Sequence, residues 1–368
     1  MKKRVLTILI FAFLFFISAL FTYFYRVYKR VVVTDSDVIK IGNEEPPSPT
    51  PTPDPLAPKN ILILGYAGGD HEGATLTDTI IIAHLIPKED KVTLVTIPRD
   101  IWVPIPTEIG KTEKEKINAA FAIGWDDKKY PNKASQYKGL AGGGNLAKDS
   151  VEFITGLKID NYIAINFEGF KNIINILGGV DVNVPYTLED KFYPIEGKEK
   201  DTCGKTEDEF RELEATLSGQ LLEQEFTCRF ETLKFEKGKQ TLDAETALKF
   251  VRSRHSEVYG GDFGRSLRQQ ALLVGIKNKI LRIGSIPKII PIINSVSKNI
   301  ITDIDIKRAI ELLTGEGSLK DIEVNTISLN TDNTLQESLT SDRQYILIPK
   351  DGEDNWNIIH EYIQKNLF

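Results

Sequence analysis

The most uniform hydrophobic stretch of the chain is residues 5–25, an uncharged apolar run of about the length a helix needs to cross a bilayer. Lys2, Lys3 and Arg4 precede it, and Arg26, Lys29 and Arg30 follow it. Those flanking charges balance, so they do not set an orientation. No small-x-small cleavage site is evident, and Tyr23, Phe24 and Tyr25 stand where an interfacial aromatic belt would stand. Residues 1–30 therefore read as a cytoplasmic tail and an uncleaved signal anchor, single-pass, that leaves the remainder outside the cytoplasm. Further along, short apolar runs rich in branched residues at 60–65, 79–86 and 92–97 read as strands buried on both faces. A strand at 162–167, a helix at 169–177 and a turn and strand at 178–185 follow. The alternation predicts an α/β or mixed α+β fold: a central sheet flanked by helices on both faces, preceded by one transmembrane helix.

Polar stretches mark the divisions. Residues 31–59 form a proline-rich extracytoplasmic stalk, whose segment 42–59 reads G-N-E-E-P-P-S-P-T-P-T-P-D-P-L-A-P-K and suits an extended polyproline spacer. The globular part occupies 60–285, with residues 286–368 as C-terminal helices and a strand, at 345–349, that complete it. Within it, residues 186–237 are charged, lack sustained periodicity and read as an insertion or lid beside a site.

Composition narrows the function classes. Across 368 residues the net charge is -6 and the sequence pI is near 5.5, a balance that disfavours nucleic acid as the main partner. The two cysteines, Cys203 and Cys228, are too few for a disulfide scaffold and lack metal-ligand spacing. In a domain outside the cytoplasm a single disulfide between them is expected, with two free thiols as the alternative.

Against that acidic background, residues 248–270 carry four arginines. Residues 250–254 read as a short strand that points Arg252 and Arg254 to one side, and Arg265, Arg268 and Gln269, at i, i+3 and i+4, share one helical face. A solvated charged face is the bland alternative. Opposing it, the helix is apolar on nearly all its other sides, and Gly260, Gly261 and Gly264 would let a ligand approach the backbone at the helix start. Such a set suits a multiply charged anion, most plausibly a phosphate or diphosphate. Elsewhere the loop G-Y-A-G-G-D-H-E-G-A-T-L-T-D-T lacks the ending of a P-loop, and its carboxylates suit either a magnesium ion or a solvated turn. Arg99 and Asp100 fall at the end of the third strand, where α/β folds gather functional groups. Lys116 to Ala119 open a helix, the glycines 142–144 stand ahead of another, and His84 in an apolar strand reads as structural.

The ordered motifs L-T-D-T-I, I-P-R-D, K-I-N-A-A, L-G-G-V-D-V-N-V-P, A-L-K-F-V-R-S-R and D-F-G-R-S-L-R-Q-Q, over roughly residues 60–285, resemble the LytR-CpsA-Psr family of envelope enzymes. The resemblance implies a phosphotransferase that moves a glycopolymer from a polyprenyl diphosphate carrier to a peptidoglycan or other wall hydroxyl. A binding protein for polyprenyl phosphates and a hydrolase of the same donor are the alternatives. It also implies diphosphate contacts for Arg99, Arg252, Arg254, Arg265 and Gln269, with Arg268 beside them and Asp100 in support. Magnesium falls to Asp78. Where the family carries an aspartate soon after the first strand, this chain has Gly65, Tyr66 and Ala67, so Asp70 or His71 from a shifted loop is the expected second ligand.

Overall fold

A computed structural model of the chain describes residues 57–69, 73–217, 220–283, 298–305 and 323–368. It divides into two compact units, one of residues 1–173 with 283–368 and one of residues 174–282.

The first unit is built on a six-stranded mixed sheet. Strand Lys59–Tyr66 lies between Asn161–Asn166, parallel to it, and Thr77–Ile86, antiparallel to it. Lys91–Thr96 pairs with the latter and with the parallel edge strand Glu323–Ser328; Ile300–Thr302 closes the other edge. Both faces of the central strands are buried, Leu62, Leu64 and Ile82 on one side and Ile61, Ile81 and Leu94 on the other. That is why these strands read as apolar runs without alternation. On the first of those faces the core continues through Phe121, Leu146, Val151, Ile154, Ile359 and Ile363, which come from helices Ala119–Trp125, Gly139–Thr155 and Asn357–Leu367.

Glycines 142–144 lie inside the helix, not ahead of it, because close packing needs them there. A Cβ on Gly142 would meet the Gly124 carbonyl oxygen at 2.5 Å, one on Gly124 would meet that of Gly142 at 2.3 Å, and one on Gly144 would enter the buried Tyr162 ring. Lys116 ends a strand, Lys111–Lys116, which pairs with Trp102–Glu108, and the following helix starts only at Ala119. Two prolines in Trp102–Glu108 and the lysine–glutamate alternation of its partner hid this hairpin from the sequence reading. His84 is buried, with Nδ1 2.7 Å from Asn60 Oδ1, and burial lowers its pKa.

The second unit contains two antiparallel strand pairs, Val180–Val184 with Gly238–Leu242 and Leu188–Pro194 with Phe230–Phe235. Helix Gly261–Ile283 packs on the first pair so closely that a Cβ on Gly275 would lie 2.6 Å from the Asp181 carbonyl oxygen. The polar segment between the second pair holds helices Glu207–Thr216 and Gln220–Gln224. A disulfide joins Cys203 to Cys228 across it, and Arg229 lies over the Phe226 ring at 3.9 Å. No residue of Glu207–Thr216 is buried, so a capping box from Thr206 and Glu209 and the nearby cross-link hold what apolar packing does not.

The expectation of a sheet preceded by a membrane-crossing helix is corrected to a mixed α/β fold alone. Among the described residues no helix is long and apolar enough to cross a membrane, and the apolar run 5–25 lies outside them, as does the proline-rich spacer 42–56.

Gly142→Ala is expected to destabilise the first unit by about 1–3 kcal/mol, because backbone must separate to admit the methyl group, more than the roughly 1 kcal/mol gained in helix propensity. Calorimetry that found an unchanged melting temperature would contradict the packing. Reduction of Cys203–Cys228, whose cysteines are 25 residues apart, is expected to lower stability by about 3 kcal/mol. Thermal melts with and without a thiol reductant measure it; coincident curves would show that the cross-link contributes nothing.

Candidate functional site

In the first unit the sheet delivers three of the sequence-predicted residues to one place. Asp78 is the second residue of strand Thr77–Ile86, and Arg99 and Asp100 follow strand Lys91–Thr96, its neighbour in the sheet. The turn that carries them is fixed by the backbone: Asn118 N–H donates to the Arg99 carbonyl at 3.3 Å, and Leu347 N–H donates to that of Asp100 at 2.9 Å. Arg99 Nη1 donates to Asp78 Oδ1 in a short contact, while its Nε lies 3.5 Å from Asp100 Oδ2. Lys116 Nζ donates to Asp100 Oδ1 at 2.7 Å. The result is a row of alternating charge, Lys116, Asp100, Arg99, Asp78. Its inner carboxylate is buried, and its outer one retains 39% of its side-chain exposure.

Position in that row separates the roles. Asp100, held between two cations, aims Arg99 and is poorly placed to meet a substrate. Asp78, at the exposed end, is the carboxylate that can reach a ligand. Magnesium needs only one or two carboxylates when phosphate oxygens and waters complete its shell, so the chemistry of Asp78 fits that ion. Asp70 and His71 lie outside the described residues. Asp201, Cys203 and Cys228 also bring possible ligand atoms within 4.8 Å of one another, but both sulfurs are tied in the disulfide and are not thiolates.

In the second unit the strand expected at residues 250–254 does not form. Asp243 accepts from Thr246 N–H at 2.8 Å and caps a helix, Ala244–Arg252, that runs through Phe250 to Arg252. The apolar residues at 244, 247, 248 and 250 are buried at helical spacing, and this periodicity overrides the strand preference of Phe250 and Val251. Arg252 thus sits in a last helical turn, its guanidinium 5.9 Å from the centre of the Tyr193 ring. Arg254 follows in the turn, which closes when Gly261 N–H donates to the Arg254 carbonyl at 2.7 Å.

Helix Gly261–Ile283 then carries Arg265 and Gln269 one turn apart, both nearly buried. Arg268 is engaged within the protein. Its side chain is fully buried, Nε donates to the Phe250 carbonyl at 3.0 Å, and Nη1 donates to Tyr186 Oη at 2.8 Å and to the Tyr259 carbonyl at 3.2 Å. Nη2 makes a short hydrogen bond to the Ser253 carbonyl. Burial lowers the Arg268 pKa, against the opposing pull of Tyr186 and Asp190. Four of the five donors of this guanidinium are thus spent on the turn and its neighbours.

The glycines are also corrected. A Cβ on Gly260 would lie 2.1 Å from the Ser256 carbonyl oxygen, and one on Gly264 would lie 1.5 Å from that of Tyr259. The chain's own carbonyls, not a ligand, fill that space. Only Gly261, at φ +64° with open space around its would-be Cβ, keeps the expected freedom.

Sequence reading missed Asp190 and Tyr186. Asp190 is fully buried in strand Leu188–Pro194, and Tyr186 precedes that strand, its ring 4.5 Å from Tyr259 and its hydroxyl donating to the Gly264 carbonyl at 3.1 Å. A signal was present. Leu188 and Asp190 share one strand face, with Tyr186 two residues ahead, which puts a carboxylate at an inward position.

The chain resembles known proteins over most of its length. It is 28% identical over 283 residues to the polyisoprenyl-teichoic acid–peptidoglycan teichoic acid transferase TagU of Enterococcus faecalis, covering 76% of this chain and 68% of that protein. The corresponding transferase TagV of Bacillus subtilis is 26% identical, covering 83% of this chain and 65% of that protein. The chain thus spans about two thirds of the length of these relatives. The crystal structure of B. subtilis TagV superposes with a TM-score of 0.56 at 25% identity, covering 85% of this chain and 98% of that one. The profile of the LytR_cpsA_psr family matches residues 24–357, the six-stranded sheet and the arginine-bearing turn alike, and the chain belongs to that family.

Proposed function

We propose that this protein is a transferase that moves a glycopolymer from a polyprenyl diphosphate carrier to a hydroxyl group of peptidoglycan. The observation that carries the reading is the concentration of Arg252, Arg254, Arg265 and Gln269 on one turn and the helix after it, within a chain of net charge -6. Family membership carries an envelope-associated, membrane-linked setting, and the relatives TagU and TagV are polyisoprenyl-teichoic acid–peptidoglycan teichoic acid transferases. A disulfide suits a domain that works outside the cytoplasm.

The reaction is a displacement at phosphorus. The acceptor hydroxyl oxygen forms a bond to the phosphorus that bears the glycan, the bond from that phosphorus to the bridging oxygen breaks, polyprenyl phosphate leaves, and the hydroxyl proton passes to solvent or to a base. Such chemistry asks the protein for positioning and charge neutralisation more than for covalent help. Arg252, Arg254 and Arg265 bind phosphate oxygens as planar forks, with Gln269 adding an amide donor. In the first unit Arg99, held in direction by Asp100, is a separate candidate for a phosphate oxygen. Asp78 is the residue that would hold magnesium, which when bound would neutralise charge on the diphosphate.

Arg252→Ala with Arg265→Ala is expected to lower transfer from a lipid-linked glycan to peptidoglycan by about 100-fold or more while the circular dichroism spectrum is retained. Undiminished transfer would overturn the reading, and carrier lipid that stays bound but unchanged with acceptor and magnesium present would point to a binding protein. Asp78→Asn is expected to raise the magnesium concentration needed for half-maximal transfer by about tenfold. A titration identical to the unsubstituted protein would remove Asp78 from the metal.

A further inference from the structure

The turn that carries Arg254 is held by two buried charges of opposite sign, each bonded to a different half of the peptide group. Asp190 takes the donors. Its Oδ2 accepts from Ser253 Oγ at 2.7 Å, from Arg254 N–H at 3.0 Å and from His255 N–H at 3.1 Å, and its Oδ1 accepts from Phe192 N–H at 3.0 Å. Arg268 takes the acceptors, the carbonyls of Phe250, Ser253 and Tyr259. Ser253 is gripped by both, through its hydroxyl and its carbonyl. Arg254 is fixed at each end of its own residue, N–H on Asp190 and carbonyl on the Gly261 N–H.

Four donors converge on one carboxyl group, and only the ionised form offers acceptors enough for all of them. An amide in its place would turn N–H against N–H on one side or the other. Burial alone would raise the Asp190 pKa, but these hydrogen bonds hold it below the ordinary carboxylate value. Apolar packing does not fix a turn of this kind. Its conformation rests on the charge.

We propose that Asp190 is a positioning residue of the anion site, acting through Arg254: it fixes the backbone from which the guanidinium reaches a ligand phosphate. This rests on the reading above that Arg254 meets a diphosphate. Nothing in the reaction needs Asp190 to touch substrate, and its complete burial keeps it from doing so. The role is specific in that its removal costs binding only while there is an Arg254 side chain to misplace.

The test is a double-mutant cycle on the full chain, read by calorimetric titration with geranyl diphosphate, a short soluble prenyl diphosphate. Asp190→Asn is expected to weaken binding about tenfold, the loss of one or two charge-assisted hydrogen bonds at the turn. In an Arg254→Ala background the same change is expected to have no further effect, because distinct residues that act through one group are not additive. An equal loss in both backgrounds would mean a general structural role and would overturn the proposal, as would undiminished binding by Asp190→Asn. Should Asp190→Asn lose its thermal unfolding transition, Ser253→Ala carries the test by deleting one donor to the same carboxylate. A loss of about fivefold that vanishes with Arg254→Ala supports the proposal; a loss that persists, or none, overturns it. Failure of the unsubstituted protein to bind the probe would overturn the diphosphate reading together with this one, whereas binding by the unsubstituted protein with no effect of either substitution would overturn this one alone.

Discussion

The arginine-bearing turn depends on one constraint: peptide groups that no helix or strand satisfies must be satisfied by something else. Between Phe250 and Gly261 the chain leaves one helix and enters another, and its exposed N–H and carbonyl groups are collected by Asp190 and Arg268. Both charges are removed from water to do this, a large desolvation cost that is offset only because each is surrounded by complementary dipoles. The arrangement yields a rigid turn, and a rigid turn is what a cluster of cations requires, since unfixed guanidinium groups would repel one another apart. Gly260 and Gly264 belong to the same scheme, for without them the carbonyls that Arg268 and its neighbours hold could not come so close.

The first unit uses the same logic with fewer parts. Lys116, Asp100, Arg99 and Asp78 alternate in sign around the buried Asp100, with Asp78 the most exposed, so each charge is aimed by its neighbour. Strand pairing sets their spacing. A strand delivers Asp78 and its neighbour delivers Arg99, and the hairpin that brings Lys116 hangs on the backbone next to Asp100.

Much of the fold was legible. Strands buried on both faces announce themselves as short apolar runs, and those read at 60–65, 79–86, 92–97 and 162–167 form within two residues of their expected ends. What failed did so for physical reasons. Phe250 and Val251 are residue types that favour strands, but Asp243 starts a helix whose buried face reaches that far. Glycines 142–144 looked like a break because glycine is a poor helix former, whereas here contact between helices outweighs propensity. The candidate site was legible as a concentration of arginines, though not in the backbone that carries Arg252. It was illegible in Asp190 and in the backbone contacts of Arg268, since a charge engaged with backbone atoms looks in sequence like any other charge.

The strand pair Leu188–Pro194 and Phe230–Phe235 brings the two ends of the charged segment side by side, and Cys203–Cys228 ties them a second time farther out. A chain that leaves and returns at the same doorway is indifferent to how long it stays away. Helix Glu207–Thr216 and its surroundings can therefore lengthen, shorten or change character between relatives without moving the register of the strands at the base, and with them Asp190. The segment is a place where the protein can vary while the turn it adjoins does not.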